Sequence, residues 1–188
     1  MKKIRESFAS SRVRERVFFS VLFLLVFLAS ASIFPYTGYT DKENIRTVPD
    51  VLLALCLVSG ILDDDRHYIS LLALIFGALS DFFLTPPTHL SPILFFLGAY
   101  FSSVTVNAFT SVNVLTATVA SLPFWLARSV TGGLFLLSDA KGADFGYVVK
   151  KILVPELCVN VLATFLVYLA VSFVYKKWIR RKGYEVRY

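Results

Sequence analysis

Charged side chains are scarce in this chain of 188 residues: they make up 17% of it, where an average soluble protein carries roughly 25%. They are also clustered, so long stretches carry none. A water-soluble globule of this size spreads charge over every surface element, and that class is excluded. Disorder is excluded from the other direction, because 56% of residues are apolar and 15% aromatic, whereas disordered chains are poor in both. Cysteine is nearly absent. Cys56 and Cys158 each lie inside an apolar run, and a disulfide framework or zinc site needs more ligands at closer spacing. They read as small helix residues. The chain also lacks a serine elbow, a Walker loop, an HExxH pair and a dinucleotide fingerprint. It has no large soluble segment to host chemistry. The expectation is a single domain that is not an enzyme and uses no cofactor or metal.

What the chain does contain is apolar runs long enough to matter. A bilayer core about 30 Å thick needs roughly 20 apolar residues of helix. Six candidate spans occur, at 17–34, 48–62, 68–84, 90–109, 112–137 and 152–175. The second is short and must borrow flanking residues or thin the bilayer locally. The fifth is long, which implies tilt or a break near Gly132-Gly133. Short loops join spans two to five and make neighbours antiparallel. The fold class expected is an all-α polytopic membrane protein, a compact bundle of six helices.

Basic residues orient it. Segments 1–16 and 176–188, together with Arg66, hold 13 of the 19 Lys and Arg, and the loops on the other side hold five, Lys42, Arg46, Lys141, Lys150 and Lys151. The positive-inside rule then makes both termini cytoplasmic. Ala29-Ser30-Ala31 after an apolar stretch resembles a cleavable leader, but the segment is expected to be retained as span one, and its loss would not alter the topology of the other five. Trp178 among basic residues directly after a span fits an aromatic belt over anionic inner-leaflet lipids rather than a nucleic-acid site.

Ionisable groups inside spans cost at least about 2.5 kcal/mol at mid-depth on insertion scales, so each needs a reason. There are four. Asp50 follows Pro49 and Glu156 follows Pro155 at outer helix starts, where proline and an acid are ordinary N-terminal chemistry. Asp81 lies at the outer, C-terminal end of span three, where the helix dipole disfavours an acid. Arg128 lies nine residues before the outer end of span five, roughly 14 Å deep by helix rise. All four fall in the outer half, and Arg128 is expected to pair with Asp81 or Glu156. Losing Asp81 is expected to cost more than losing Asp50, because a lost cap costs typically about 1 kcal/mol.

The acidic turn Asp63-Asp64-Asp65 lacks calcium-loop spacing and reads as a solvated turn with Asp65 capping span three. His89 reads as an interfacial loop residue. Spans four and five carry small and amide side chains, among them Ser103 and Asn107 four apart, which suit helix packing. Ala73 and Gly77, also four apart, give span three a close-packing face and are candidates for receiving a partner helix. Phe145, Val148, Val149 and Ile152 recur at helical spacing and suggest a short interfacial helix.

Pro49-Asp50-Val51-Leu52-Leu53 opens a short span after an outer loop, and Leu74-Ile75-Phe76-Gly77-Ala78-Leu79-Ser80-Asp81 ends the next one. That order resembles the MreD family of rod-shape-determining membrane proteins, as does a last span with Pro155, Asn160 and a closing Lys176-Lys177. The family usually continues after its Asp with a Gly-containing turn, where this chain reads Thr85-Pro86-Pro87-Thr88-His89. The resemblance implies a non-enzymatic scaffold of the bacterial elongation machinery in the cytoplasmic membrane. Its partners would be an MreC-like single-span protein, the RodA–transpeptidase synthase, the MreB cytoskeleton and membrane lipids. It also implies a fold similar to the substrate-binding subunits of energy-coupling-factor vitamin transporters. The competing expectation is therefore a transporter subunit, with Arg128 receiving a carboxylate-bearing vitamin.

Overall fold

The computed structural model describes residues 2–33, 49–62, 65–83, 90–106, 113–139 and 145–178, and these are helical apart from short connecting residues, with no strand among them. Helix α1 is Lys2–Ile33, α2 Val51–Leu62, α3 Arg66–Phe83, α4 Ser91–Val106 and α5 Val114–Asp139; a single turn, α6, Phe145–Val148, leads through a π-helical turn, Val149–Leu153, into α7, Val154–Trp178. Two of the helices are long and apolar enough to cross a membrane, over Arg12–Ser32 and Val154–Tyr175. The others are shorter or more polar.

Three expectations change. The basic segment before residue 17 is the helical start of α1 and not a separate tail. Helix α5 runs unbroken through Gly132-Gly133. The segment from Phe145 is continuous with α7 rather than an independent helix. Asp63, Asp64, His89 and Asn107 lie outside the described residues.

Helix α2 is the axis of the fold. Its sequence, VLLALCLVSGIL, is apolar on every side, and a helix of that kind belongs in an interior. It touches all five of the other long helices, and Leu52 through Ile61 are buried without exception. The surrounding helices are apolar outward as well: Leu25, Leu71, Ile93, Leu115, Leu126 and Leu166 are all exposed, and Phe82 is 84% exposed. Large contiguous exposed apolar surface marks sites of protein–protein or membrane interaction.

Helices α2 and α4 cross closely at Gly60. A Cβ at Gly60 would overlap the Ala99 carbonyl oxygen and stand 2.7 Å from Ser102 Oγ. Ser102 Oγ in turn donates to the Leu57 carbonyl at 3.1 Å. Gly77 does the same for α3 and α4, with a Cβ there 2.8 Å from Pro92 Cα and 3.0 Å from the Ser91 carbonyl oxygen.

One end of the bundle is fixed by α1, α3 and α7. Arg16 donates to Asp65 Oδ2 from Nη2 at 2.6 Å and from Nε at 3.2 Å. Asp65 Oδ1 accepts the Tyr68 amide at 3.3 Å, the cap expected for α3. The Tyr68 hydroxyl donates to the Arg16 carbonyl at 3.1 Å and also bonds Ser20. Phe18 and Phe19 meet the ring of Tyr175 at 6.3 and 5.8 Å. The basic end of α1 and the carboxyl end of α7 therefore lie at the same end of the bundle.

Two predictions follow from this packing. Gly60→Ala forces backbone apart and is expected to cost about 1–3 kcal/mol, the range for overpacking. Gly98→Ala meets side-chain atoms and no backbone, the ends of Leu57 and Leu53 at 3.0 and 3.7 Å and the Phe124 ring at 3.7 Å, and is expected to cost less. Thermal unfolding of both variants in detergent checks this, and equal losses would reject it. The second concerns Asp65, whose carboxyl is held below its ordinary value of 3.8, first by the hydrogen bond from Arg16. A depressed carboxylate stabilises fully above about pH 4 and stops doing so as pH falls through its folded-state value. The melting temperature of wild type should therefore drop more steeply than that of Asp65→Asn as pH is lowered from 5 to 3, and parallel curves would count against the lock.

Candidate functional site

At the other end of α2 the backbone begins with Pro49 and Asp50, and this end must be satisfied from within. The first amides of a helix have no intrahelical acceptor. Asp50 supplies one: its Oδ1 accepts the Leu53 amide at 3.0 Å, an N-cap at the usual spacing. Its own amide is taken by a different helix, donating to Asn160 Oδ1 on α7 at 2.8 Å. Its second carboxylate oxygen, Oδ2, stands 3.7 Å from Arg128 Nε on α5, with the two side chains 20% and 13% exposed. One aspartate thus caps α2, ties it to α7 and faces the cation of α5.

The node continues inward between α5 and α7. Trp125, one turn before Arg128, is fully buried and its indole Nε1 donates to Thr164 Oγ1 at 2.9 Å. Thr164 Oγ1 donates to the Asn160 carbonyl at 3.0 Å. The spacings do the positioning: Trp125 and Arg128 are three apart and Asn160 and Thr164 four apart, so each pair shares a helix face. A tryptophan and a threonine buried at this depth need partners, and each supplies the other's. Asn160 is 1% exposed, and its Nδ2 makes no hydrogen bond among the described residues.

No protein-family model, curated protein or solved structure matches the chain.

The sequence placed Arg128 opposite Asp81 or Glu156, and the structure instead gives it Asp50. The reason is connectivity. Helix α3, which carries Asp81, packs on α1, α2 and α4 and makes no backbone approach to α5. Asp81 is buried near the end of α3. Glu156 is in the first turn of α7, one turn beyond Asn160. Asp50 was read as a cap and is one, but it also carries the ion pair. Ala73 is fully buried and Gly77 faces α4, so the small-residue face of α3 is occupied within the chain. Trp125, Thr164 and Gly60 were not singled out. The signal for the first two was a tryptophan one turn from an arginine inside an apolar run, and for Gly60 an isolated glycine in an otherwise apolar helix.

Among the described residues the node combines a carboxylate, a guanidinium, an amide, an indole and a hydroxyl, and their contacts tie α2, α5 and α7 together. Asparagine caps a helix as well as aspartate does, so Asp50→Asn removes the charge and keeps the cap. A double-mutant cycle of Asp50→Asn with Arg128→Gln is expected to show a coupling of about 1 kcal/mol in detergent unfolding, the lower range for contacting pairs. Asp50→Ala should lose about 1 kcal/mol more through the cap. Strict additivity in the cycle would mean the pair contributes nothing.

Proposed function

We propose that the chain is a six-span bundle of a bacterial cytoplasmic membrane, with both termini cytoplasmic, acting as a non-enzymatic MreD-like scaffold. It would bind an MreC-like single-span protein and help to couple the peptidoglycan synthase and the MreB cytoskeleton. The supporting observation is the distribution of polarity. The costly polar groups hold α2, α5 and α7 to one another, while the outward faces between the two ends of the bundle are largely apolar. Such a body is solvated by lipid and recognises other helices. The short α2 does not weigh against six spans: shielded by its neighbours, it need not match the bilayer, and backbone that starts at membrane depth is tolerated where protein satisfies it. Asp50, which opens the family-like Pro-Asp motif, supplies that satisfaction.

The transporter alternative asks Arg128 to receive an anionic ligand, but in this chain Arg128 already faces Asp50 at 3.7 Å. That favours the scaffold.

Purification in mild detergent after co-expression with an MreC-like partner tests the reading. Co-elution of the two at fixed stoichiometry is expected. Co-purification of a vitamin and two ATPases, or no association with the partner, would overturn it. Topology is checked separately by accessibility labelling of single cysteines introduced at Ser10 and Lys182 after Cys56 and Cys158 are replaced. Both positions should label only from the cytoplasmic side.

A further inference from the structure

We propose that the polar node binds one enclosed water molecule, held between Arg128 Nε, Asn160 Nδ2 and the Asp50 carboxylate, and that the Asp50–Arg128 pair acts through it. The site is a property of this chain alone and does not depend on the scaffold reading or on any partner.

Three buried polar atoms point to it. Arg128 Nε stands 3.7 Å from Asp50 Oδ2, too far for a direct hydrogen bond, and it makes none to any other described residue. Asn160 Nδ2 makes none either, although Asn160 is 1% exposed and its Oδ1 is committed to the Asp50 amide at 2.8 Å. That bond fixes which way the amide points, since the opposite orientation would set one N–H against another. Glu156, four residues earlier on the same helix, does not accept from Nδ2. The third atom is Ser129 Oγ, in a residue that is fully buried and makes no side-chain hydrogen bond among the described residues. Helices α5 and α7 run antiparallel on either side of the α6 turn and are joined by the Trp125–Thr164 bond. Ser129 lies four residues after Trp125 and Asn160 four before Thr164, so one turn further along the two stand level.

The chemistry of the gap selects its occupant. Whatever sits there must accept from two N–H groups and donate to a carboxylate. An anion cannot donate, and Asp50 repels it at short range. A cation cannot accept, and Arg128 repels it. Water does both, and buried waters make about three hydrogen bonds to polar groups of this kind. Polar pairs separated by more than about 3.5 Å are commonly bridged in this way. The separation also has a cause. Asp50 is pinned by its cap on Leu53 and by Asn160, so its carboxylate is not free to close on the guanidinium, and a water spans what is left. The side chains of Asp50 and Arg128 are 20% and 13% exposed, which gives the molecule a way in from one side. Asn160 and Ser129 close the other side, and the node stays shut to bulk solvent.

Nuclear magnetic resonance of the full 15N-labelled chain in detergent tests this. The chain has four asparagines and no glutamine, so few side-chain amide signals compete, and Asn160→Asp identifies the Asn160 signal by its disappearance. The Asn160 amide protons are expected to show cross-peaks to water with NOE and ROE of opposite sign, the signature of a bound molecule. Arg128→Met should weaken them at least threefold, with an unmoved Trp125 indole signal showing that the node is still folded. Ser129→Ala should retain them, because three partners remain. The same cross-peaks are expected in a maltoside and in an amine-oxide detergent, which carries no hydroxyl. No water cross-peak in wild type, or full cross-peaks in a folded Arg128→Met, would overturn the proposal. So would their loss in Ser129→Ala, which would mean relay through an exchanging hydroxyl, or their appearance in maltoside only, which would assign the site to an alcohol. A high-resolution crystal structure is the second measurement and needs no variant. Density for a water within hydrogen-bond reach of all three groups is expected, and Arg128 Nε bonded directly to Asp50 Oδ2 would reject the relay.

Discussion

The rest of the fold depends on how the amino-terminal end of α2 is satisfied. A helix apolar on all sides gains by being surrounded, and five neighbours surround this one. Burial creates its own problem, because the first turn of any helix presents amides with no acceptor, and α2 cannot turn them to water. Asp50 answers for the Leu53 amide, and Asn160 answers for the Asp50 amide. Both answers come from side chains that must then be held still. Arg128 holds one by charge. The Trp125–Thr164 bond holds the other by fixing the turn of α7 that carries Asn160. The polar node follows from burying that end of the helix.

The two ends of the bundle are built differently for the same physical reason. At the Asp50 end the groups are mostly buried, and three helices meet there: Asn160 of α7 accepts the Asp50 amide, Thr164 of α7 accepts from Trp125 of α5, and Arg128 of α5 faces the Asp50 carboxylate. At the Asp65 end the salt bridge is exposed, 50% on the arginine side and 29% on the aspartate. Exposed pairs contribute little to stability because water and salt screen them. Arg16 and Asp65 therefore orient α1 against α3 more than they stabilise them. The aromatic contacts of Phe18, Phe19 and Tyr175 contribute area burial that does not depend on salt. An arrangement with one dry end and one wet, basic end suits a body whose two faces meet different surroundings.

Much of this was legible in the sequence, but unevenly. The apolar runs gave all the long helices, because run length is a local property. Their ends were less well marked. The basic segment before Val17 was taken for a tail, although nothing in Arg12, Arg14 or Arg16 stops a helix. The length of the run around Gly132-Gly133 implied tilt or a break, and the break is absent: α5 continues through a buried Gly133. Capping by Asp50 and Asp65 was readable because it is decided within four residues. The partner of Arg128 was not, because it depends on which helices are neighbours. Asp81 and Glu156 were chosen by depth alone, and depth does not say that α3 never approaches α5. Small residues posed the same difficulty. Gly77 was noticed and Gly60 was not, although Gly60 makes the tighter crossing, and a glycine cannot say whether its close neighbour belongs to its own chain.

The identity of that neighbour bears on how Arg128 is understood. A poorly solvated arginine with no anion beside it would be a receptor waiting for one, because its desolvation would be uncompensated until a ligand arrived. Here the anion is supplied by the chain and cannot be removed freely. Displacing Asp50 from Arg128 would leave a carboxylate that still caps α2 facing an incoming negative charge across a few ångströms, and like charges at that range repel strongly in a poorly solvated site. An anionic ligand would have to repay that repulsion as well as form its own contacts. A partner helix docking on the apolar exterior meets no such cost. It can also gain from a bundle whose α2, α5 and α7 are already fixed, since a preorganised surface binds without first being ordered.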